Sequence, residues 1–267
     1  MLKLLFITNR SDVALIAEKA GIDRIWIDLE TQGKELRQKN LNTVKSRHTI
    51  EDIRMIAPLL SRADLLVRVN PWNEGSQDEI DEVISAGACL VMLPYWKTPE
   101  EAWNFISYVN GRCKTILLLE TKEAVECLDK VLKIQGIDEI HIGLNDLRIS
   151  YGYRNMFSPF GSGLLDELSG KLKEAGVSFG IGGIGQFGLG LSPSPEELIA
   201  EHYRLGSTAV ILSRTFCNVE ALGDIAEIER TLTENVRILR ETEKWAAGLD
   251  PNGLEKNHIR VMKELEE

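Results

Sequence analysis

The sequence predicts a (β/α)8 barrel with a C-terminal helical extension. Eight short apolar runs recur along its 267 residues, amphipathic stretches of helical length separate them, and the runs are apolar almost throughout rather than alternating. Near-continuous apolar runs belong to strands covered on both faces, as in a parallel sheet. Eight β–α units in roughly 250 residues is the count of a closed barrel. An open doubly wound sheet is the competing architecture. It usually carries a glycine fingerprint after its first strand, and "FITNRSD" has no glycine.

The first run, "LLFIT" (4–8), leads into "SDVALIAEKAG" (11–21), a helix that opens on a Ser or Asp cap and closes on Gly. "RIWIDLE" (24–30) follows, and then a long polar segment, 31–48. "TIEDIRMIAPLLSRA" (49–63) is apolar at 50, 53, 56, 59 and 60 and precedes the runs "LLVRVN" (65–70) and "CLVMLP" (89–94). Next come "TILLLE" (115–120), the helical "TKEAVECLDKVLKI" (121–134) and "EIHIGL" (139–144). "SFGIGGI" (178–184), the helical "SPEELIAEHYRLG" (194–206) and "TAVILS" (208–213) complete the set. The stretch 219–246 is long for one capped helix and is expected either to break or to reach a neighbouring subunit. The division is therefore a barrel over 1–218 and C-terminal helices over 219–267, packed on the barrel or on a neighbour.

Hydrophobic residues make up 43% of the chain and charged residues 27%, enough to bury a core. A net charge of −10 argues against non-specific nucleic-acid binding and against an anionic membrane surface, but not against a small anionic substrate. Cys89, Cys113, Cys127 and Cys217 show no CxxC and no zinc spacing, so they are expected as reduced thiols in a cytoplasmic protein. No run reaches the ~18 apolar residues of a membrane span, and the apolar run at the start is too short for a signal peptide.

Barrel active sites sit at the C-terminal ends of strands. There the runs end on Asp28 and Glu30, on Arg68 and Asn70, on Pro94, on Glu120, on Asn145 and Asp146, and on Ser213 and Arg214. Glu120 and Asp146 close neighbouring strands, 26 residues apart. Two carboxylates that close would repel. A hard divalent cation, Mg²⁺ or Mn²⁺, resolves the conflict, with water or substrate completing its shell. The competing reading is that each acid serves the start of the next helix, with Thr121 and Asn145 at cap positions. Arg68, between Val67 and Val69, needs a partner. It either bridges to Asp28 or Glu30, or holds a carboxylate or a developing enolate oxygen beside the metal.

"GIGGIGQFGLG" (180–190), with Gly182 and Gly183, either simply turns or offers N–H groups to a substrate carboxylate. Segment 31–48 gathers Lys34, Arg37, Lys39, Lys45, Arg47 and His48 in an acidic chain. It is a solvated loop or a lid, and His48 is a base, a cap or a surface residue.

Over about residues 5–217 the chain resembles the HpcH/HpaI aldolase and citrate lyase β-subunit family, metal-dependent pyruvate aldolases and relatives on the phosphoenolpyruvate/pyruvate type of barrel. The stretches that carry the likeness are "AGIDRIWIDLE", "LLVRVNPWNEGSQDEIDEVISAGACLVMLPYWKTPEEA", "LLLETKEAVECLDKVLKIQGIDEIHIGLNDLRISYG" and, more loosely, "SPEELIAEHYRLGSTAVILSRTF". The resemblance implies Glu120 and Asp146 as metal ligands, Arg68 as the arginine that binds the oxo acid and steadies its enolate, and Asp28 as the aspartate near the metal-bound water. Gly143, Asn145, Gly182, Gly183 and Lys34 complete the candidate substrate contacts. The family's usual histidine, its aspartate partner and a glutamine are here Thr31, Ser85 and Leu118, so the usual base dyad is missing. Glu30, Lys34 or His48 are the candidates to replace it.

The expected activity is carbon–carbon cleavage or aldol addition through a metal-bound enolate of a 2-oxo acid or hydroxy acid. CoA-ester cleavage and a non-catalytic oxo-acid-binding barrel are the alternatives. Family likeness further implies a homo-oligomer, a hexamer built as a trimer of dimers.

Overall fold

The computed structural model describes residues 1–32 and 48–266. Its strands are β1 (Lys3–Ile7), β2 (Arg24–Asp28), β3 (Asp64–Arg68), β4 (Leu90–Leu93), β5 (Lys114–Leu119), β6 (Glu139–Ile142), β7 (Ser178–Ile184) and β8 (Ala209–Leu212). All neighbouring pairs are parallel, and the eight strands close in sequence order. Each predicted run holds one strand, with ends displaced by at most two residues.

Side chains alternate across this sheet because the strand repeat is two. Leu5, Trp26, Leu66, Leu90, Met92, Ile116, Leu118 and Ala209 point inward and fill the bore. The alternate residues, such as Leu4, Ile25, Val67, Val91, Leu117 and Ile140, join the larger core beneath the helices. The inward set turns polar at both ends. Toward the strand C-termini it carries Asp28 and Arg68, and toward the N-termini Arg24 and Glu139. Arg24 Nη1 and Nη2 donate to the two Glu139 carboxylate oxygens, each at 2.8 Å. Because β2 and β6 stand four strands apart in a ring of eight, this buried pair crosses the bore.

One layer above, His141 is fully buried, and Gly180 makes its room. A Cβ at Gly180 would lie 2.3 Å from the ring Nδ1. Burial, reinforced by Arg24, pushes His141 down to about 3. Burial, with His141 nearby, does the same to His202. Both rings stay neutral in the folded state while the unfolded chain protonates them below their ordinary 6.5. Their contribution is thus constant above pH 6.5 and is lost as the pH falls toward 3, by on the order of 1 kcal/mol per histidine per pH unit. Urea midpoints measured from pH 7 to 4.5 should fall, and His141→Gln/His202→Gln should flatten the slope. An unchanged slope in that variant would assign the acid sensitivity to carboxylates instead.

Helix ends follow their cap chemistry. Thr49, Thr98 and Ser194 each form a reciprocal capping box with the acid three residues on. The helix expected over 49–63 runs only from Ile50 to Ile56, then tightens into a 3₁₀ turn, Ala57–Leu59. Pro58 lacks the N–H that would continue the α pattern. The long stretch 219–246 does break. Val219–Leu222 ends at Gly223, whose φ is +66°, and Asp224 caps a new helix, Ile225–Ala247, by accepting from the Glu227 N–H. A last helix, Pro251–Glu266, follows.

These C-terminal helices lie on this chain's own barrel. Asn235 donates to the Phe216 carbonyl, Arg240 pairs with Asp23, and Asn257 donates to the Glu197 carbonyl. Among the described residues no helix is long and apolar enough to cross a membrane.

Candidate active site

Arg68 ends β3 directly beside Asp28, its register partner at the end of β2. Its Nε and Nη2 donate to the two Asp28 oxygens, each at 2.8 Å, and Nη2 also lies 3.3 Å from Glu30 Oε2. The guanidinium carbon stands 4.8 Å from the centre of the Trp26 ring, so the cation is stacked on an aromatic face as well as forked in its own plane. Trp26 is placed to do this because it is the inward residue two before Asp28.

Burial opposes the Arg68 charge. Asp28, then Glu30, with Glu120 further off, outweigh that and raise its pKa above the ordinary value. The bridging alternative for Arg68 is therefore realised with both acids. Nη1 is the nitrogen outside these contacts.

Thr31 and Gln32 are held by Asn70, a residue the sequence placed at the end of its run without giving it a role. Asn70 Oδ1 accepts from the N–H groups of Thr31 and Gln32 at 2.9 and 3.0 Å, while its Nδ2 donates to Glu79 at 2.7 Å. Its signal was an amide two residues beyond a strand end, next to Pro71. His48 closes the backbone ladder where β1 has ended. Its Nδ1 accepts from the Asp28 N–H at 2.9 Å. This bond requires a neutral Nδ1, which places the ring proton on Nε2. The helix cap there is Thr49, so His48 is not the cap. Lys34, Arg37, Lys39, Lys45 and Arg47 lie outside the described residues.

Glu120 follows β5 and is 3% exposed. Its Oε1 accepts from the Tyr95 N–H at 3.0 Å. Tyr95 points its amide there from a left-handed conformation, φ +50°, which costs a non-glycine residue about 1–2 kcal/mol. Thr121 caps the next helix by accepting from the Ala124 N–H, and its hydroxyl donates to the Trp96 carbonyl at 3.0 Å.

β6 stops at Ile142, earlier than its apolar run. Leu144, Asn145 and Asp146 belong to the first turn of a helix, Leu144–Tyr151, whose N-cap is Gly143. The cap expected at Asn145 is thus corrected, since Gly143 takes the extended conformation that ends the strand. Asp146 is half-buried in that first turn, where the helix dipole favours a carboxylate.

Gly143 also has a steric duty. A Cβ there would lie 2.8 Å from Glu120 Oε2, 3.0 Å from Glu120 Cβ and 3.3 Å from Leu118 Cδ1. Gly143→Ala should therefore displace the Glu120 carboxylate and lower turnover by about 100-fold, the usual scale of a 1 Å misplacement, while the chain remains folded. Steady-state kinetics beside a thermal melt would check this. Full activity would show that Glu120 can shift at no cost.

The glycine stretch divides. Residues 180–184 belong to β7, as the run 178–184 predicted, and only 185–190 form the loop, so Gly182 and Gly183 lie in the strand that precedes it. Gly182 pairs with Ile211, and a register shift falls between Gly182 and Ile184. Gly183, at φ +109°, faces Phe157 and Met156. Arg214 senses both Asp28 and Arg68. Its pKa is lowered first by desolvation, against the pull of Glu220 and Asp28, with Arg68 adding to the drop. Among the described residues no group of three or more His, Cys, Asp or Glu could hold a metal. Glu120 and Asp146 offer two carboxylates.

A closed parallel barrel whose C-terminal mouth gathers buried acids around a stacked arginine is the framework of a (β/α)8-barrel enzyme. The family model for HpcH/HpaI aldolase/citrate lyase matches residues 3–159, more than half of the chain, and the chain belongs to that family. It is accordingly an enzyme of the lyase class. A hydroxypyruvate/pyruvate aldolase of Sagittula stellata is 25% identical over 202 residues, covering 64% of this chain and 74% of the relative. A 2-keto-3-deoxy-L-rhamnonate aldolase of Shigella dysenteriae is 28% identical over 171 residues, covering 53% of this chain and 58% of the relative, less than two thirds of its length. The crystal structure of an HpcH/HpaI aldolase from Desulfitobacterium hafniense superposes with a TM-score of 0.65 at 15% identity, covering 83% of this chain and 91% of the other. At that identity the likeness concerns the fold.

Proposed function

We propose that this chain is a divalent-cation-dependent carbon–carbon lyase that works on a pyruvate-like 2-oxo acid through its enolate. The observation that carries this reading is the Arg68 guanidinium, stacked on Trp26 and forked by Asp28, in the same barrel mouth as buried Glu120.

The donor set suits Mg²⁺ or Mn²⁺. Carboxylate oxygens are hard ligands. Tyr95 holds one Glu120 oxygen, and the missing side chain of Gly143 keeps atoms away from the other. Glu120 and Asp146 would hold the ion, which supplies Lewis acidity toward the substrate carbonyl. Arg68 presents Nη1 to the oxygen that gains negative charge. Because Asp28 and Trp26 already fix it, little reorganisation is needed as that charge develops. The Glu30 carboxylate moves the C3 proton in place of the family's histidine, whose position is Thr31. His48 serves as a donor through Nε2–H.

The test is exchange of pyruvate C3 protons in D₂O with Mg²⁺ or Mn²⁺, read by loss of the methyl signal after the ion is removed. The wild type should exchange, and Glu30→Gln should bind pyruvate without exchanging it. Pyruvate bound but not exchanged by the wild type would rule out pyruvate as the enolate donor.

A further inference from the structure

We propose that the N-terminal mouth of the barrel, opposite the catalytic end, is a second binding site, for a small oxyanion of phosphate type. β1 and β5 stand four strands apart in the ring of eight, so they face each other across the bore. Lys3 and Lys114 are the first residues of those strands, and each lies two residues before an inward-facing side chain, Leu5 and Ile116. By the strand's two-residue repeat both lysines point toward the barrel axis, from opposite walls.

A cavity of about 370 Å³ opens between them, and Arg24, Ser178, Thr208 and Asp138 also line it. The Arg24–Glu139 pair crosses the bore above it and closes its inner end, while strand ends wall its sides.

The charges there do not balance. Glu139 is matched by Arg24. Asp138 accepts from the Thr115 N–H and hydroxyl at 2.8 and 3.1 Å, and the lining as a whole sets three cations, Lys3, Arg24 and Lys114, against two acids, Asp138 and Glu139. Among the described residues no carboxylate lies within 4.0 Å of the Lys3 or Lys114 ammonium, although the chain as a whole carries −10. Two lysines on facing walls, with the Ser178 hydroxyl in the same lining, make a donor-rich cradle suited to an acceptor-only ligand.

A second cavity, about 660 Å³, shares Thr115 and Asp138 with the first. Trp103, 56% exposed, lines it together with Ile106 and the lysines Lys130 and Lys133. The phosphate can therefore come free or as part of a nucleotide whose base lies against Trp103.

The test is the unfolding temperature, titrated with inorganic phosphate and separately with AMP, at ionic strength held constant with NaCl. The wild type should show a saturable rise. Lys3→Gln/Lys114→Gln, and more weakly each single variant, should need at least tenfold more phosphate, while Arg214→Gln, at the catalytic mouth, should respond like the wild type. AMP binding more tightly than phosphate, with that advantage lost in Trp103→Ala, would identify a nucleotide. Equal affinity would identify the free anion, and both support the site. A rise matched by chloride alone, a rise undiminished in the lysine variants, or one lost in Arg214→Gln would overturn it.

Discussion

Glu120→Gln should remove exchange of pyruvate C3 protons, by about 10³-fold or more, which at ~1.4 kcal/mol per decade is roughly 4 kcal/mol of transition-state stabilisation. The substitution keeps the shape of the side chain, and its amide oxygen can still accept the Tyr95 N–H that Glu120 Oε1 accepts at 3.0 Å. The fold should therefore be nearly unchanged, since what is lost is one negative charge in a buried position. Asp146→Asn should act in the same direction from the first turn of its helix. Manganese binding followed by electron paramagnetic resonance separates the causes. Loss of binding together with loss of exchange assigns both residues to the ion. Retained binding with lost exchange assigns them to the substrate instead. Full exchange in either variant would remove the carboxylate pair from the mechanism.

Most of the fold was legible because its signal is repeated eight times. Each strand buries both faces, so each appears as an unbroken apolar run, and small errors at the ends did not change the count. The errors lie where local chemistry overrides the run. Leu144 looked like the last strand residue because it is apolar, but Gly143 turns the chain and starts a helix at that point. The run "SFGIGGI" held its strand, but nothing in it told why a glycine stands at 180, which is to make room for the His141 ring. A contact of that kind, between register partners on the adjacent strands β6 and β7, has no trace in the local pattern. That Asp28, Glu30, Arg68 and Glu120 would stand at one mouth of the barrel was legible from their position at the ends of runs. Trp26 was not, because a tryptophan in an apolar run looks like core, and only the barrel's inward alternation sets it under Arg68. The Tyr95 amide escaped notice for a similar reason, since a backbone group leaves no residue-type signal.

Glu139→Ala is expected to be among the most destabilising substitutions in the chain. It leaves the Arg24 guanidinium buried and uncompensated, which costs about 3–5 kcal/mol. At roughly 2–4 °C per kcal/mol for a chain of this size, the melting temperature should fall by about 10 °C. The pair itself is not thereby a large source of stability, because both groups are taken out of water to form it. Arg24→Met/Glu139→Leu fills a similar volume without charge and should melt near the wild type or above it. The contrast between the two variants, read in thermal melts, is the informative quantity. If the double variant fell as far as Glu139→Ala, the pair would contribute net stability beyond its own desolvation. The double variant also bears on His141, whose pKa is lowered chiefly by burial and only secondarily by Arg24. With the charge gone and the burial kept, His141 should remain neutral at pH 7 and the acid sensitivity of the fold should persist. Its disappearance would make Arg24, not burial, the dominant cause.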